Sequence, residues 1–439
     1  MKEAVVMAPV AQTLKNDLPE VTEATRLAKS YNNRLEYNGT YYGQSSMGYV
    51  DPNFFKVFTL PITNGNQKTP LDKPNTVVIS EKLSSNIFGN TDPVGKTITV
   101  TNRDEDYTIS AVMKDVPENS HFHFDILAST LGYANAKKTT WMESDFFTYL
   151  VLKKDADIAE VEAKLPSITK KYMGPQMIDA IGMSYEEFQK DNELGLFLQP
   201  LTDIHLHSHF SDATTLEQGG DIKYVYIFSI VAIFMLVIAC INFMNLATAS
   251  ASKRSKEVGI RKVLGSNKKQ LIYQFLAEAF ISTVLATILA IMIFAIFLPG
   301  FNQLAGKSIE FISLLKPIYI LSLFGLILLI TVLAGGYPAF YLSSFNPLNA
   351  LKSKFSGSGK NSGIRGGLVV FQFVISAGLI LSTLVVKEQM SYIQNKDIGY
   401  EKDQLLVVRN TYMLGNNEDG FIQEIKNDPR VENVTHSAF

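Results

Sequence analysis

Three histidines alternate along the segment 204–210, at His205, His207 and His209. In a β-strand all three side chains would point to one face, and histidine is the commonest metal ligand. A solvated or hydrogen-bonded strand face has the same pattern, and only His121 and His123 could complete a metal site. We therefore expect a polar strand face here and predict no metal, with a metal site as the alternative.

The segment 89–97, GNTDPVGKT, resembles a phosphate-binding loop. It has five residues between its glycines where that motif needs four, so the backbone amides would be out of register. It also follows a predicted helix rather than a strand. We interpret it as a turn, and we expect no ATP site of this kind in the chain.

Glu278 is the only residue of the long apolar segment 271–298 that is charged at neutral pH. Such residues are functional candidates by default. Glu278 follows Lys269 by nine residues, or roughly 13 Å along a helix. A structural ion pair with nearby lysines is favoured over a role in proton or substrate movement. No nucleophile–base set or carboxylate pair is evident, so we predict no enzyme activity, no catalytic residue and no cofactor.

Composition excludes several classes of protein. The 439 residues have a formal net charge of −2, without the basic surplus that a nucleic-acid-binding protein needs. The single cysteine, Cys240, excludes an intramolecular disulfide framework and any site with several cysteine ligands.

Four apolar stretches can each cross a membrane as a helix. A bilayer core of about 30 Å needs about 20 helical residues. The stretches cover residues 224–246, 271–298, 317–345 and 366–386, and only the second contains a charge. A chain with four such stretches is predicted to be a multi-pass membrane protein embedded in a lipid bilayer.

The loops between these helices predict the orientation. Residues 247–270 contain seven Lys and Arg against one acidic residue, and residues 346–365 contain four against none. Basic loops face the cytoplasm. Residues 1–223 and 387–439 are then extracytoplasmic, and both are acidic: 30 acidic against 21 basic residues in the first and 9 against 6 in the second.

The first 223 residues are predicted to form one α+β domain built from compact βαβ-type subdomains. The fold class is therefore an α+β extracytoplasmic domain followed by all-α transmembrane helices, four in this chain. Helices are expected at 10–18, from Asp51 as N-cap, from Ser80 as N-cap to Phe88, at 158–172 and at 185–192, and strands at 76–79, 96–100, 107–113 and 147–152.

An internal repeat suggests a duplicated architecture. The segment from Gln12 to Asp17, QTLKND, matches QEIKND from Gln423 to Asp428, and Pro, Val and Thr follow each copy at similar spacing. If the repeat is real, residues 387–439 begin a second extracytoplasmic domain. The chain is then expected to be a fragment that lacks a preceding helix and most of a second half.

The basic loop after the first membrane helix contains an amphipathic segment. Val258, Ile260, Val263 and Leu264 are predicted to form one apolar strip, with Arg261 and Lys262 beside it. Gly265 and Ser266 end this short helix, and Asn267 begins the next. Such a helix can lie in lipid headgroups or dock on a partner, while its cations alone would satisfy the orientation rule. Composition does not separate these interpretations.

The same loop carries a family resemblance. Residues 256–280, KEVGIRKVLGSNKKQLIYQFLAEAF, resemble the signature of FtsX-like ABC transporter permeases. Residues 88–98 and 111–125 are similar to the MacB-type periplasmic core domain, and residues 334–352 and 368–376 also look like segments of the family. The resemblance spans nearly the whole chain.

The resemblance implies a permease subunit in the bacterial cytoplasmic (inner) membrane, driven by a separate cytoplasmic ABC ATPase. Closure of the ATPase would move the periplasmic domains by mechanotransmission, in export, efflux, or lipoprotein or peptide handling. A second permease copy and envelope proteins are further implied partners. The coupling element would be the segment Lys256, Glu257, Val258, Gly259, Ile260, Arg261, Lys262, Val263, Leu264 and Gly265.

A membrane receptor is the alternative. An extracytoplasmic ligand-binding domain on four helices, without transport, has the same topology. A partner ATPase would discriminate between the two functions. A secondary transporter is disfavoured, because the helices lack the polar residues that couple ion movement.

Overall fold

The computed structural model describes residues 3–101, 104–192, 194–208, 210, 215–249, 251–343, 362–397, 405–408 and 411–435. His209 and residues 346–361 of the second basic loop lie outside them. The chain divides into two compact units, Met1–Tyr224 with Leu406–Phe439, and Val225–Leu405. The three-domain division made from the sequence stays a prediction.

The first unit is built on a mixed sheet. Its strands, within the described residues, are Val6–Met7 (β1), Val21–Tyr37 (β2), Thr40–Val50 (β3), Ile62–Gly65 (β4), Thr76–Ser80 (β5), Thr97–Val100 (β6), Glu105–Met113 (β7), Ile126–Ser129 (β8) and Ser144–Leu152 (β9). Their order is β1-β9-β2-β3-β8-β5-β7-β4, and β6 pairs with both β7 and β2. The pairings therefore close a ring of six strands, β2-β3-β8-β5-β7-β6, which leaves these strands without an open edge.

Six helices of this unit lie between residues 10 and 207. They are Val10–Asp17 (α1), Phe54–Val57 (α2), Glu81–Phe88 (α3), Ile158–Ile181 (α4), Tyr185–Asp191 (α5) and Ile204–His207 (α6). The expected cap of α3 is confirmed, because the Ser80 hydroxyl accepts a hydrogen bond from the Leu83 amide at 3.1 Å. Helix α4 continues past the expected end at residue 172 and stops before Gly182, which has a φ of 68°. The α+β class is confirmed.

The βαβ prediction holds only in part. Strands β5 and β7 are parallel, with α3 and β6 between them in the chain, and β3 and β8 are also parallel. The other pairings are antiparallel, including the long hairpin of β2 and β3. Asn38 and Gly39 form its turn, with φ angles of 51° and 76°. Two positive φ angles are typical of the tight hairpin turn, so the Asn-Gly pair was the signal for this missed hairpin.

The prediction that Asp51 caps a helix is wrong. Helix α2 begins after Asn53, and the Asp51 carboxylate binds elsewhere. It accepts hydrogen bonds from the Arg26 guanidinium at 2.8 and 3.0 Å and from the Thr130 hydroxyl at 2.8 Å. Partners distant in the sequence compete successfully for this side chain, because the two parallel bonds from the Arg26 guanidinium are both charge-assisted.

The second unit is helical. Its helices are Ile222–Ala249 (α7, which begins in the first unit), Ala251–Val263 (α8), Lys268–Ala305 (α9), Pro317–Ser343 (α10) and Ser362–Asn395 (α11). Helices α7, α9, α10 and α11 are long and apolar enough to cross a membrane. They contain the four predicted apolar stretches, apart from residues 344–345, which lie outside the described residues. Most of their large apolar side chains are exposed, as expected for surfaces that face lipid.

A short helix, Glu418–Lys426 (α12), lies in the C-terminal segment. It ends at the Lys-Asn-Asp sequence of the second repeat copy, and α1 ends at that of the first. The two copies therefore share a local structure. The duplicated architecture and the missing segments stay predictions.

Candidate functional site

The short helix α8 is ended by local backbone bonds. The Ser266 amide donates to the Arg261 carbonyl at 2.9 Å, and the Gly265 amide donates to the Lys262 carbonyl at 3.1 Å. This pair of bonds needs a residue with positive φ, and Gly265 has a φ of 99°. The Gln270 side chain then accepts a bond from the Asn267 amide at 2.9 Å, at the start of α9. The sequence predicted both boundaries correctly.

The predicted apolar strip of α8 is wrong in one member. Val258 is buried, whereas Ile260, Val263 and Leu264 are 51%, 65% and 80% exposed. A helix turns about 100° per residue, so positions 260, 263 and 264 share a face and position 258 points the opposite way. Three exposed aliphatic side chains beside the membrane helices are therefore available to a partner. The side chain of Lys256 lies outside what the structure describes.

Two cations of α8 whose side chains the structure describes, Arg261 and Lys262, bind other parts of their own chain. Arg261 pairs with Glu257 at 2.8 Å and donates to the side-chain oxygen of Gln274 in α9. Lys262 donates from Nζ to the Ser343 carbonyl, at the end of α10, at 2.6 Å. Burial, and then the charge of Lys268, lowers the pKa of Lys262. These contacts join α8 to both α9 and α10.

Glu278 belongs to the same polar group. Its carboxylate accepts a bond from the Gln274 amide at 3.2 Å, and Gln274 in turn accepts one from Arg261. The polar side chains thus run in order from α8 into the first turns of α9. The predicted pairing of Glu278 with loop lysines stays a prediction.

The histidine strand is a misprediction. His205 and His207 lie in the short helix α6, where residues two apart point in different directions. No group of three or more His, Cys, Asp or Glu residues in the described part of the chain lies close enough to hold a metal ion. The Gly220 amide donates a hydrogen bond to the His205 carbonyl at 2.7 Å, so this carbonyl has a partner outside any sheet.

The other two histidines are engaged in hydrogen bonds. His123 contacts Glu217 through Nδ1 at 2.8 Å and the Pro117 carbonyl through Nε2 at 3.0 Å. His121 contacts the Tyr149 hydroxyl at 2.7 Å. Burial lowers the pKa of His121 to about 4, so the ring is neutral at ordinary pH. Both residues stabilise loops of the first unit.

The glycine-rich segment after α3 is a turn. Asp92 accepts a bond from the Val94 amide at 3.0 Å, and Lys96 donates to the Thr91 hydroxyl at 3.1 Å. The Lys96 ammonium also lies 4.9 Å from the centre of the Phe88 ring. This lysine therefore stabilises the turn itself.

A cavity of about 1520 Å³ lies in the first unit. Its walls are mainly apolar and include Tyr149 of β9, Met173 of α4, Phe197 after α5, and Trp141, which precedes β9. The hydroxyl of Thr148, in the same wall, is buried without a hydrogen-bond partner among the described residues. Sequence reasoning missed this cavity, because its lining comes from segments far apart in the chain.

Comparison with known protein families identifies two domains. Residues 3–168 match the MacB-like periplasmic core domain. Residues 229–347 match the FtsX-like permease C-terminal domain, which contains α8. The chain therefore carries both domains to which its segments are similar.

Several curated proteins are similar to this chain. The macrolide export ATP-binding/permease protein MacB of Neisseria meningitidis serogroup B is 25% identical over 338 residues, covering 75% of this chain and 47% of that protein. The MacB of Bdellovibrio bacteriovorus is 31% identical over 122 residues, covering 28% and 18%. An uncharacterized ABC transporter permease of Bacillus subtilis, YvrN, is 24% identical over 247 residues, covering 55% of each. The chain spans about half, or less, of the length of the MacB relatives.

Two solved structures are also similar to parts of the chain. A domain of a putative permease from Porphyromonas gingivalis is 22% identical, with a TM-score of 0.36, and the match covers 39% of this chain and 79% of that one. The periplasmic region of MacB from Actinobacillus actinomycetemcomitans is 17% identical, with a TM-score of 0.30, and the match covers 43% and 85%.

Proposed function

We propose that this MacB/FtsX-like ABC transporter permease is a mechanical subunit, which couples ATP hydrolysis by a separate cytoplasmic ATPase to movement of its extracytoplasmic domain. The subunit itself would catalyse nothing. The observation that carries this proposal is the exposed apolar face of α8, formed by Ile260, Val263 and Leu264. Helix α8 lies between two membrane helices, in the loop that the orientation rule places inside.

An exposed aliphatic face on a short helix is suited to a groove on a protein partner. Burying one such side chain contributes roughly 1.5–3 kcal/mol. Each 1.4 kcal/mol changes an equilibrium about tenfold. Three side chains with at least half their surface exposed can therefore supply a large part of the affinity for an ATPase. A helix lying in lipid headgroups could bury the same face, so binding must be measured directly.

The setting of this function is the bacterial cytoplasmic membrane, with residues 1–223 and 387–439 outside. We propose that the process driven by this movement is export or efflux, or the handling of lipoproteins or peptides. The MacB relatives are named macrolide export ATP-binding/permease proteins. A second permease copy and envelope proteins are further proposed partners.

The test replaces Ile260 and Leu264 together by Asp in the full chain, copurified with its ATPase. The expected result is complex formation weakened by well over tenfold and loss of stimulated ATP hydrolysis, because each Asp loses burial and adds a desolvation cost. Lys268→Gln with Lys269→Gln is the control, which should retain the complex. Normal binding by a correctly inserted Asp variant would contradict the proposal.

One observation favours the alternative, a receptor with an extracytoplasmic ligand site. The cavity of about 1520 Å³ has room for a sizeable apolar ligand. A receptor needs no ATPase. Purification of the full chain without any associated ATP hydrolysis would therefore favour the receptor over the permease.

A further inference from the structure

Lys262 joins α8 to the end of α10. Its ammonium donates to the carbonyl of Ser343, a fully buried residue at the last described position of α10. A hydrogen bond from a charged donor is stronger than one between neutral groups. The bond therefore holds α8 against a different helix.

Arg261 joins α8 to α9. Its guanidinium is held by Glu257, one turn earlier, and donates to Gln274, which continues the polar contacts to Glu278. A planar guanidinium with two defined acceptors has little freedom to reorient. Neighbouring residues 261 and 262 thus fasten α8 to two different membrane helices.

Helices α9 and α10 are themselves tightly packed. A β-carbon built at Gly335 in α10 would lie 2.5 Å from that of Ala279 in α9. Ala279 and Ala334 are both buried at this contact. Small residues that let two helix backbones approach closely are typical of rigid helix pairs in membranes. Ala279 is the next residue after Glu278, so this packing adjoins the polar contacts.

We propose that Arg261 and Lys262 are positioning residues that lock α8 to α9 and α10, so that these three helices move as one body when a partner pushes on α8. The proposal rests on the proposed function and adds the path of the force. The exposed aliphatic side chains contact the partner, while the two half-buried cations hold the helix to its own chain. Without these contacts, α8 would still bind the partner but would move independently of α9 and α10.

The experiment compares two pairs of substitutions in the full chain with its ATPase, in lipid nanodiscs. The first is Arg261→Gln with Lys262→Gln. The matched control, Lys268→Gln with Lys269→Gln, removes the same charge from exposed positions. Hydrogen–deuterium exchange reports the opening of α8 and, on addition of ATP, the response of the extracytoplasmic domain. Affinity for the ATPase is measured in parallel.

The expected result separates binding of the ATPase from transmission of movement to the extracytoplasmic domain. In the first pair the amides of residues 258–264 exchange about tenfold faster or more, because each lost bond involves a charged group. The response of the extracytoplasmic domain to ATP is lost, while affinity for the ATPase changes by less than about threefold. The single substitution Lys262→Arg leaves Arg261 unchanged and retains a donor for the Ser343 carbonyl. This variant should keep the response of the extracytoplasmic domain to ATP.

Three results would overturn the lock. The first is exchange equal to that of the control, and the second is faster exchange with an intact response to ATP. The third is loss of ATPase affinity, which would show that the cations contact the partner. The proposed function fails separately, when the Asp pair at Ile260 and Leu264 binds the ATPase normally.

Discussion

At the scale of single residues, the Arg26–Asp51 pair is the best-defined polar contact of the first unit. Both side chains are less than a fifth exposed, at 18% and 14%. Arg26 also donates to the carbonyls of Ala8 and Ala136, at 2.9 Å each. The pair therefore ties β2 to three other segments of the chain.

Removing one partner leaves the other charged and partly buried. We expect Asp51→Ala to lower the free energy of unfolding by about 3–5 kcal/mol. Trp141 is the only tryptophan, so intrinsic tryptophan fluorescence of the full chain reports on this domain during denaturation. The control is Glu186→Ala, which breaks an ion pair with Lys170 whose side chains are 56% and 60% exposed, and which should cost under about 1 kcal/mol. Equal losses in the two variants would contradict the role given to Asp51.

Sequence reasoning succeeded for residues whose role is set by their neighbours. Ser80, Gly265 and Asn267 lie at the helix boundaries predicted for them, because caps and turns depend on backbone groups a few residues away. It failed for Asp51, whose partners are distant in the sequence.

At the scale of elements, the contact between α9 and α10 depends on one glycine. Gly335 faces Ala279 at a distance that no side chain tolerates, whereas a β-carbon on the adjacent Gly336 meets nothing within 4 Å. The two neighbouring glycines thus differ in whether a neighbouring helix leaves room for a β-carbon. Substitution of one is therefore the control for substitution of the other.

We expect Gly335→Ala to destabilise the helical unit by about 1–3 kcal/mol, because the two backbones must move apart. Gly336→Ala should be neutral or stabilising by up to about 1 kcal/mol, since alanine favours a helix over glycine. Cys240 is the only cysteine and is buried, so its reaction with a thiol-reactive dye on heating measures unfolding of the helices. A lower unfolding temperature for both variants, or for neither, would argue against close packing at Gly335.

Elements marked by a long apolar stretch were predicted better than elements inferred from the spacing of a few residues. The membrane helices follow from uninterrupted apolar stretches. The apolar strip of α8 was misassigned, because a count of aliphatic residues ignores the rotation between positions 258 and 260. Helix α6 was misassigned for the opposite reason: its alternation over a few residues imitates a strand.

At the scale of the whole molecule, the closed ring of strands in the first unit was beyond sequence reasoning. It depends on the pairing of Leu35 and Glu36 in β2 with Val100 and Thr99 in β6, about 65 residues later. A local pattern carries no information on such a pairing. The arrangement of an α+β unit followed by membrane helices was predictable, since composition changes sharply after residue 223.

The orientation of the chain in the membrane gives the last prediction. The loop containing α8 has seven basic residues against one acidic residue, and the first 223 residues have an acidic excess. The basic loop predicts that α8 lies inside, and the first unit is then predicted to lie outside. With Cys240→Ser as background, a membrane-impermeant maleimide added to intact cells should label Asp72→Cys and spare Lys268→Cys. Both positions are exposed, so accessibility within the protein does not bias the comparison.

Permeabilised cells, in which both variants should react, provide the control. Labelling of position 268 alone in intact cells would reverse the orientation, place α8 outside, and remove the basis for an ATPase partner at that helix.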